Sequence, residues 1–549
     1  MLLQDQALAF VASLAAQCSK DSDAIGPSSS SVYDSAWVSL IRKNGDWLFP
    51  ECFDFVLNQQ LPSGAWDSYS TPLDGILNTA AGLLALKKHL HHHNLDQDDL
   101  IQKSLKAESA LKHLTCQWDI NSVDQIGFEL LVVSLLELLE QEGVLIEFPQ
   151  LDALKALGQA KLAKMPTEML YREPSSLHHS LEALFKKDNI DFDRVGKWLE
   201  PDGSMLHSPS STAAYLMSIS VWDARAEEYL RRVVSRHGCH DYGSVPTVWP
   251  TTIFKISWSV CALSAVEISI GQVERIVFGS LLKTTLAKQQ GLVGFAPGGL
   301  PDSDDTAKAL EALHHLSQRE GEVESGVGSV DALIRTYEGP THFRTHPGER
   351  NPSLSANCNI LILLLSREDR DEHLPQIIKA SRFLIDKVLG GWDDVNEKWH
   401  TKEQYWMMLL CRAFDLLHQV PAATSQKIFQ LAPDLKEKVP FVSLVITTRL
   451  LQTQQSNGSW EDICEVTAYS ILTLSSLLKL PSKHHALSLV RYNCVADQLI
   501  KSKSWLVGKR EEWKRARNIW TGKVTYGSSI LSEAYCLAAA LAPVPVMEL

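Results

Sequence analysis

The sequence predicts an all-α protein built as two α/α helical barrels, and three observations support this. Apolar residues recur at helical spacing along most of the chain, as in residues 128–139, where almost every face of the segment is apolar. The strict alternation of apolar and polar residues that indicates a half-buried strand is scarce. A short motif with the pattern Q-x-x-x-G-x-W, beginning at Gln60 and again at Gln454, lies between helical segments.

The motif predicts how the helices are joined. Residues 60–66 and 454–460 match it fully, residues 290–295 carry Phe in place of Trp, and residues 202–204 keep only the turn. The glycine allows the turn, and the aromatic ring and the amide can tie adjacent helix ends together. Ordinary turn chemistry explains any single copy, but repetition in a helical chain favours barrels of paired helices. The wide separation of the two full copies favours two barrels.

Composition excludes several classes of protein. The 549 residues include 52 Lys plus Arg against 65 Asp plus Glu, and a net charge of −13 argues against a nucleic-acid binder. No apolar run is long enough for a membrane span, and the start of the chain lacks the basic region of a secretory signal. The ten Cys residues are scattered, so a disulfide framework is not indicated. We therefore expect a cytoplasmic protein without stable membrane insertion.

An acidic cluster stands where a helix is predicted to begin. Asp302, Asp304 and Asp305 follow a Gly/Pro loop and precede an apolar face that starts at Ala307. Helix capping explains one or two acids at this position. Three acids repel one another, so one carboxyl should keep its proton near neutral pH if the site is dry. From the residues alone, a functional acid and a set of capping residues both remain open.

The sequence Asp-Ser-Asp-Asp-Thr-Ala at 302–307 resembles the D-x-D-D-T-A signature of class II terpene cyclases. Other segments share the resemblance: 32–38 (VYDSAWV), 125–129 (QIGFE), 174–182 (PSSLHHSLE), 208–213 (SPSSTA) and 349–357 (ERNPSLSAN). Over residues 30–541 the chain most resembles the cyclase half of fungal bifunctional diterpene synthases of the copalyl diphosphate synthase or kaurene synthase type.

The resemblance implies a division into domains. Residues 1–32 would form an N-terminal helix of the β domain, residues 33–248 an inserted γ barrel, and residues 249–541 the remainder of the β domain with the acid motif. Residues 542–549 would begin a linker to a C-terminal class I or prenyltransferase domain. The substrate pocket is expected between the two barrels.

The resemblance also implies the chemistry. The substrate would be geranylgeranyl diphosphate, which is cyclised to a copalyl diphosphate stereoisomer with the diphosphate retained. Asp304 would protonate the terminal alkene, while Asp302 and Asp305 hold it in the acidic form. Asn357 matches a family Asn that hydrogen-bonds the catalytic carboxyl, although a helix-capping amide would look the same.

Four aromatic residues lie in family-like segments: Trp249, Trp258, Phe295 and Tyr33. Aromatic faces stabilise a migrating cation by roughly 0.5–2 kcal/mol each. The resemblance makes these four the candidates for that role, with ordinary core packing as the alternative for each ring.

The terminal base and the diphosphate site are also implied by the resemblance. His179 matches a family His that works with an Asn as base, but Thr247 occupies the Asn position here, and both His178 and His179 could be structural. Lys161, 18 residues before His179, matches a diphosphate-binding Lys, and Lys523 is a second candidate.

Magnesium would bridge the diphosphate to acidic side chains, because it is a hard cation that prefers oxygen ligands. Relatives carry an acidic patch just before the G-F-E segment, and Asp119 and Asp124 are the acids near that position here.

Three other patterns resemble functional motifs, but we do not interpret them as sites. Residues 96–99 are also D-x-D-D, but they follow a His-rich run, and we expect a loop or a helix cap there. Residues 393–397 imitate the D-D-x-x-E motif of class I terpene synthases, without its partner motif elsewhere. Asp462 and Cys464 would need a third ligand, such as His484 or His485, to hold zinc.

Two alternative functions stay open at this point. A triterpene cyclase of the squalene–hopene kind shares D-x-D-D, but it would have more Gln/Gly/Trp repeats and a membrane-docking helix. A non-catalytic helical-barrel scaffold would have the fold without the reaction.

Overall fold

The structure is a computed structural model. It describes residues 2–20, 25, 28–90, 97–123, 125–164, 167–187, 189–237, 241–317, 328–349, 351–391, 397–480 and 489–544. The described residues are mostly helical. In chain order the α-helices are α1 (Leu3–Lys20), α2 (Val32–Ser39), α3 (Pro50–Asn58), α4 (Pro72–Leu90), α5 (Gln97–Gln117), α6 (Phe128–Gln141), α7 (Leu151–Ala163), α8 (Thr167–Arg172), α9 (Phe192–Val195), α10 (Pro209–Ser218), α11 (Ala224–His237), α12 (Thr252–Ser264), α13 (Gln272–Lys288), α14 (Ser303–Ser317), α15 (Asp331–Tyr337), α16 (Leu354–Ser366), α17 (Leu374–Gly390), α18 (Glu403–Gln419), α19 (Ala422–Leu431), α20 (Leu435–Thr453), α21 (Cys464–Lys479), α22 (Leu489–Gly508) and α23 (Ser529–Leu541).

The strands are short and pair as antiparallel two-stranded ribbons: β1 (Ser30–Ser31) with β4 (Val245–Pro246), β2 (Arg42–Lys43) with β3 (Asp46–Trp47), and β5 (Trp520–Thr521) with β6 (Thr525–Tyr526).

The chain divides into two compact units. Unit 1 comprises Met1–Gly26, Thr251–Ala516 and Ser529–Leu549, and unit 2 comprises Pro27–Pro250 and Arg517–Ser528. An insertion within a flanking unit is the arrangement that the sequence analysis expected, but the boundaries differ from 33 and 248.

Two contacts explain the different boundaries. The β1–β4 ribbon ties residues 30–31 into unit 2, and the β5–β6 ribbon joins unit 2 because Thr525 donates two hydrogen bonds to Asp74. The expectation that residues 517–528 belong with the flanking domain was therefore wrong. Most of the expected linker, 542–549, lies outside the described residues.

Unit 1 is a barrel of paired helices. Helices α12, α14, α16, α18, α21 and α23 each pack against the next, and α23 packs back against α12. Helices α1, α13, α15, α17, α20 and α22 pack on the outside of this ring. An inner helix has neighbours on every side, which explains why residues 354–365 of α16 are all buried and mostly apolar.

Unit 2 repeats this plan with a smaller ring. Helices α2, α4 and α6, the 3₁₀ segment His178–Leu184, and α10 form the ring, and α10 closes it against α2. Helices α3, α5, α7 and α11 pack outside. The prediction of an all-α fold with two α/α barrels is confirmed.

The Q-x-x-x-G-x-W motifs join helices as predicted. Gly64 and Gly458 have φ values of +90° and +97°, which favour glycine, and a side chain at 64 would meet the Lys106 backbone at 2.5 Å. The indole N–H groups of Trp66 and Trp460 each donate to a carbonyl ten residues earlier in the chain, at 2.7 and 3.1 Å. The motif therefore fixes the end of the preceding helix in both units.

Among the described residues, we find no helix with the length and apolar character that crossing a membrane requires.

Candidate active site

The acid cluster, which we define as Asp302, Asp304 and Asp305, lies at the N-terminus of α14 in the inner ring of unit 1. Oδ1 of Asp302 accepts hydrogen bonds from the backbone N–H groups of Asp304 at 2.9 Å and Asp305 at 2.8 Å. Asp302 is therefore the N-cap of α14, so the capping interpretation holds for one of the three acids. All three side chains are buried, and Asp304 keeps 9% of its surface exposed.

Asp304 has the environment of a proton donor. Burial raises its pKa to about 7, and the charges of Asp302 and Glu397 act in the same direction. The amide Nδ2 of Asn359 donates to Oδ1 of Asp304 at 2.7 Å, and this bond and the more distant Lys308 oppose the rise in pKa. A substantial fraction of Asp304 therefore carries its proton at neutral pH.

The surroundings of Asp305 also favour its protonated form. Burial and the neighbouring charge of Asp302 raise the pKa of Asp305 well above its ordinary value. A protonated Asp305 adds little negative charge to the cluster and can share a hydrogen bond with Asp302.

Asn359, not Asn357, contacts the acid. The side chain of Asn357 bridges the backbone of Phe343, with N–H and C=O contacts of 2.9 Å each, and donates to the Ser353 carbonyl at 2.8 Å. The prediction for Asn357 was wrong. Asn359 lies two residues later on α16, a rotation of about 200° around the helix axis, so the two side chains point to opposite sides of the helix. Spacing alone did not show which of the two amides faces Asp304.

Glu397 is a second residue that sequence reasoning did not assign to the site. Its carboxylate accepts hydrogen bonds from the Ser355 backbone N–H at 2.8 Å and from the Ser355 hydroxyl at 3.0 Å. Glu397 therefore caps the N-terminus of α16, the helix that carries Asn359, and its charge raises the pKa of Asp304. Glu397 is the last residue of the D-D-x-x-E pattern at 393–397, whose Asp393 and Asp394 lie outside the described residues.

The remaining inner helices contribute an aromatic cluster, which we define as Trp258, Tyr405, Tyr469 and Tyr535. Trp258 Nε1 donates to the Tyr405 hydroxyl at 2.7 Å. Ring centroids are 5.3 Å apart for Tyr405 and Tyr469 and 4.8 Å apart for Tyr469 and Tyr535. Burial raises the pKa of Tyr405 well above its ordinary value, and the charges of Tyr535 and Asp304 act in the same direction. Each inner helix thus supplies either the acid, its amide partner or an aromatic ring.

The four predicted aromatic residues separate in the structure. Trp258 belongs to the aromatic cluster, while Phe295 is partly exposed and its carbonyl accepts from the Phe254 N–H at 3.1 Å. Tyr33 and Trp249 belong to unit 2, whereas the acid cluster belongs to unit 1.

Both of these unit 2 rings already face protein cations. Arg232 and Arg236 lie 5.8 and 5.7 Å from the Trp249 ring, and Lys523 Nζ lies 5.9 Å from the Tyr33 ring. Trp258 has a similar contact, since Lys308 Nζ lies 5.9 Å from its ring. A nearby protein cation therefore does not separate Trp258 from Tyr33 and Trp249 as candidates for stabilising a substrate cation.

A buried ion cluster adjoins the acid on α14. Glu311 is fully buried and lies 3.0 Å from Lys308 Nζ and 2.7 Å from Arg412 Nη2. Lys308 is one helical turn after Asp304, and its charge alone would favour ionised Asp304. Because Glu311 balances that charge, the pKa of Asp304 can remain near 7.

His179, the predicted base, lies in the 3₁₀ segment of unit 2. Its Nδ1–H donates to the Leu206 carbonyl at 2.8 Å. Burial and then the charge of Lys523 lower its pKa to about 4, so the imidazole is neutral at pH 7. His178 instead contacts the Leu170 carbonyl at 3.0 Å and the Ser175 backbone, which is a structural role.

The two predicted diphosphate lysines differ in availability. Lys161 is 31% exposed and pairs with Glu129 at 2.7 Å. Lys523 is buried and lies 2.8 Å from Glu182 and 3.6 Å from Asp34. Because Lys523 is buried and already paired with acids inside unit 2, the structure favours the more exposed Lys161 as the diphosphate contact, and the assignment of Lys523 stays a prediction.

The predicted metal ligands are only partly described. Asp119 is exposed, and its Oδ1 accepts from the Asn121 backbone at 3.0 Å as the cap of a short 3₁₀ turn, while Asp124 lies outside the described residues. Within those residues no group of three or more His, Cys, Asp or Glu is arranged to hold a metal ion. The described side chains therefore do not by themselves form a magnesium site.

A groove of 730 Å³ runs along α17, between Pro340 and Lys387, and its lining includes no member of the acid or aromatic clusters. We do not assign it to the reaction.

Solved structures define the class of fold. An ent-copalyl diphosphate synthase from Streptomyces platensis superposes with a TM-score of 0.75 at 24% identity, covering 98% of this chain and 99% of that one. The ent-copalyl diphosphate synthase of Arabidopsis thaliana, in complex with (S)-15-aza-14,15-dihydrogeranylgeranyl thiolodiphosphate, gives a TM-score of 0.56 at 21% identity, covering 97% of this chain and 78% of that one. The fold is the helical-barrel fold of class II terpene cyclases.

Sequence relatives are more specific. The chain is 35% identical over 543 residues to pimaradiene synthase pbcA of Emericella nidulans, and this match covers 94% of this chain and 54% of the relative. It is 35% identical over 564 residues to a copalyl diphosphate synthase of Talaromyces verruculosus, a match that covers 98% of this chain and 55% of the relative. It is 34% identical over 530 residues to an ent-kaur-16-ene synthase of Fusarium fujikuroi, a match that covers 92% of this chain and 53% of the relative. No family model matches the chain.

The predicted resemblance is confirmed: this chain is homologous to the fungal diterpene synthases and spans about half the length of the curated relatives it matches.

Proposed function

We propose that this chain is a class II diterpene cyclase that converts geranylgeranyl diphosphate to a copalyl diphosphate stereoisomer with the diphosphate retained. One observation carries the proposal: Asp304 is buried in the inner ring of unit 1 with a pKa of about 7 and an amide partner on its carboxyl. The names of the relatives supply the substrate class.

Asp304 starts the reaction. An alkene is a very weak base, so the donor must be protonated, shielded from water and aimed at one carbon. The π electrons of the terminal alkene take the Asp304 proton, a C–H bond forms, and a tertiary cation is left on the substrate. The new carboxylate on Asp304 is stabilised by the amide N–H of Asn359.

The later steps use other residues. Ring closure moves the positive charge along the chain, and the aromatic cluster stabilises it without offering a nucleophile, at roughly 0.5–2 kcal/mol for each well-placed ring. Neutral His179, protonated on Nδ1, is the proposed base, and loss of a proton from carbon gives the bicyclic alkene. Lys161 is the proposed diphosphate contact. Magnesium is proposed to neutralise the diphosphate, with Asp119 and Asp124 as candidate ligands.

The product of the wild-type enzyme and of two matched variants tests the proposal. We would incubate each with geranylgeranyl diphosphate and magnesium, remove the diphosphate, and identify the alcohol by mass spectrometry against chiral standards. Asp304→Asn should lose product by about 10²–10⁴-fold, because an amide N–H is far too weak an acid to protonate an alkene. Asp99→Asn, in the exposed first turn of α5 and part of the second D-x-D-D pattern, should retain it.

Three outcomes would contradict the proposal. Cyclisation by Asp304→Asn at the wild-type rate would reject the assigned acid. Cyclisation of squalene in place of the diphosphate would indicate a triterpene cyclase, and absence of product from any prenyl diphosphate would indicate a scaffold.

A further inference from the structure

Lys523 occupies an unusual place for a cation. It lies between β5 and β6, its side chain is buried, and its Nζ contacts acids and hydroxyls from three other segments of unit 2. Glu182 Oε1 is 2.8 Å away, Asp34 Oδ1 is 3.6 Å away, and the Ser208 hydroxyl accepts a hydrogen bond at 2.5 Å. A buried charge of this kind is retained at a cost, and its partners indicate what it holds in place.

Two of these partners belong to the segments that fix His179. Glu182 follows His179 by three residues in the same short segment, His178–Leu184, just beyond a kink at Ser180. Ser208 ends the loop whose Leu206 carbonyl accepts the Nδ1–H of His179. Lys523 therefore joins the segment that carries the imidazole to the loop that orients it.

The loop has a strained backbone. Leu206 and His207 are consecutive residues with φ values of +44° and +59°, a conformation that costs free energy for residues other than glycine. Such a conformation persists only where surrounding contacts enforce it. The bonds of Ser204 to His207 and of Lys523 to Ser208 hold the two ends of the turn.

We infer that Lys523 is a positioning residue for the terminal base: by clamping Glu182 to Ser208, it fixes the imidazole of His179 in its working orientation. The inference rests on the proposed function, in which His179 accepts the final proton. Lys523 touches neither substrate nor reacting atoms in this role.

Lys523 also affects the pKa of His179. Lys523 and His207 act to lower the pKa of His179, and Glu182 acts to raise it, with burial as the largest effect. The other ionisable groups joined to these include Asp34, which faces Lys523, Asp202, which faces His207 at 3.3 Å, and Tyr33, whose hydroxyl donates to Glu182 at 3.0 Å. Removing Lys523 and removing Glu182 should therefore move the pKa of His179 in opposite directions.

The first test measures the His179 pKa by NMR of histidine-labelled protein. Lys523→Met should raise it by on the order of one unit, and Glu182→Gln should lower it. A merely structural role would not give shifts of opposite sign. Lys112→Met, which removes an exposed pair with Glu108 at 2.8 Å, should leave it unchanged. An unchanged His179 pKa in both Lys523→Met and Glu182→Gln would overturn the inference.

The second test measures product partition, which does not depend on the amount of folded enzyme. With a misplaced base, water should capture more of the final cation, so the ratio of bicyclic alcohol to bicyclic alkene should rise several-fold in Lys523→Met. If that variant does not fold, Lys523→Gln combined with Glu182→Gln removes both charges together and keeps polar side chains, and it should still raise the ratio.

The outcomes separate the two ideas. Normal cyclisation by wild type with an unchanged product ratio in every folded Lys523 variant rejects the positioning role alone. Absence of cyclisation by wild type rejects the proposed function.

Discussion

At the scale of single residues, the site depends on one carboxyl that burial keeps partly protonated. Three acids crowd one helix end, but they have different roles. Asp302 caps α14, burial raises the pKa of Asp305 well above its ordinary value, and Asp304 accepts a hydrogen bond from the Asn359 amide. A free carboxylate at neutral pH would be inert toward an alkene. The division of roles follows from which backbone and side-chain donors each carboxyl meets.

The pH dependence of kcat/KM should show the state of Asp304. Because its pKa is raised to about 7 and the protonated form is the active one, kcat/KM should fall about tenfold per unit above pH 7. Below that pH it should stay level until His179 begins to protonate near its pKa of about 4. A steady-state pH series checks this, and activity that rises between pH 7 and 9 would contradict an acid at this position.

The two neighbouring asparagines should give different results. The hydrogen bond from Asn359 favours ionised Asp304, so Asn359→Ala should move the alkaline limb of the profile to higher pH while lowering kcat through lost orientation. Asn357→Ala should instead lower the unfolding temperature and leave that limb in place, because Asn357 holds the Phe343 backbone. Paired pH profiles and thermal melts distinguish the two, and identical behaviour would reject the assignment of Asn359.

At the scale of elements, α14 combines a proton donor with its electrostatic control. Its first turn carries the acid cluster, and its second and third turns carry Lys308 and Glu311, three residues apart. The pair is fully buried, so each charge depends on the other. Helix α16 supports the site in a similar way, since Glu397 caps the end from which Asn359 projects one turn later.

Glu311→Gln should therefore affect both stability and the pH profile. Loss of this carboxylate leaves Lys308 and Arg412 without their buried partner, which should cost about 3–5 kcal/mol of unfolding free energy. The uncompensated charge of Lys308 should also lower the pKa of Asp304 and move the alkaline limb to lower pH. Urea titration and kinetics check the two effects.

Glu403→Gln is the matched control for this variant. Its pair with Arg449, at 2.9 Å, is partly exposed, so its loss should cost no more than about 1 kcal/mol and leave the pH profile in place. Equal costs for the two variants would contradict the role given to the Glu311 cluster.

At the scale of the whole molecule, each of the two rings of helices contains buried polar side chains among residues that are mostly apolar. The ring of unit 1 holds the acid and aromatic clusters, and that of unit 2 holds Glu182 and Lys523. The helical periodicity and the repeated Gly/Trp motifs were enough to predict both barrels. The exact extent of unit 2 was not predictable, because residues 517–528 join it through contacts with residues far away in the chain, such as Asp74.

Removal of magnesium should reduce product formation in the full chain. A hard divalent cation neutralises the diphosphate, and without it the substrate should bind weakly. A chelator titration with geranylgeranyl diphosphate checks this, and unchanged turnover would contradict a magnesium requirement. Asp119→Asn should raise the magnesium concentration needed for half-maximal activity, while Asp46→Asn, exposed on β3, should not.

The sequence by itself determined the helical class, the two barrels and the acid motif, because periodicity, turn glycines and adjacent carboxylates are local properties of the chain. Only the tertiary structure decided which amide meets Asp304, that Glu397 and Glu311 support it, and that Lys523 is paired inside unit 2. Apart from the Lys308–Glu311 pair within α14, these contacts join residues on different elements that are distant in sequence. Burial, which sets both the pKa of Asp304 and the pairing of Lys523, exists only once the rings have closed.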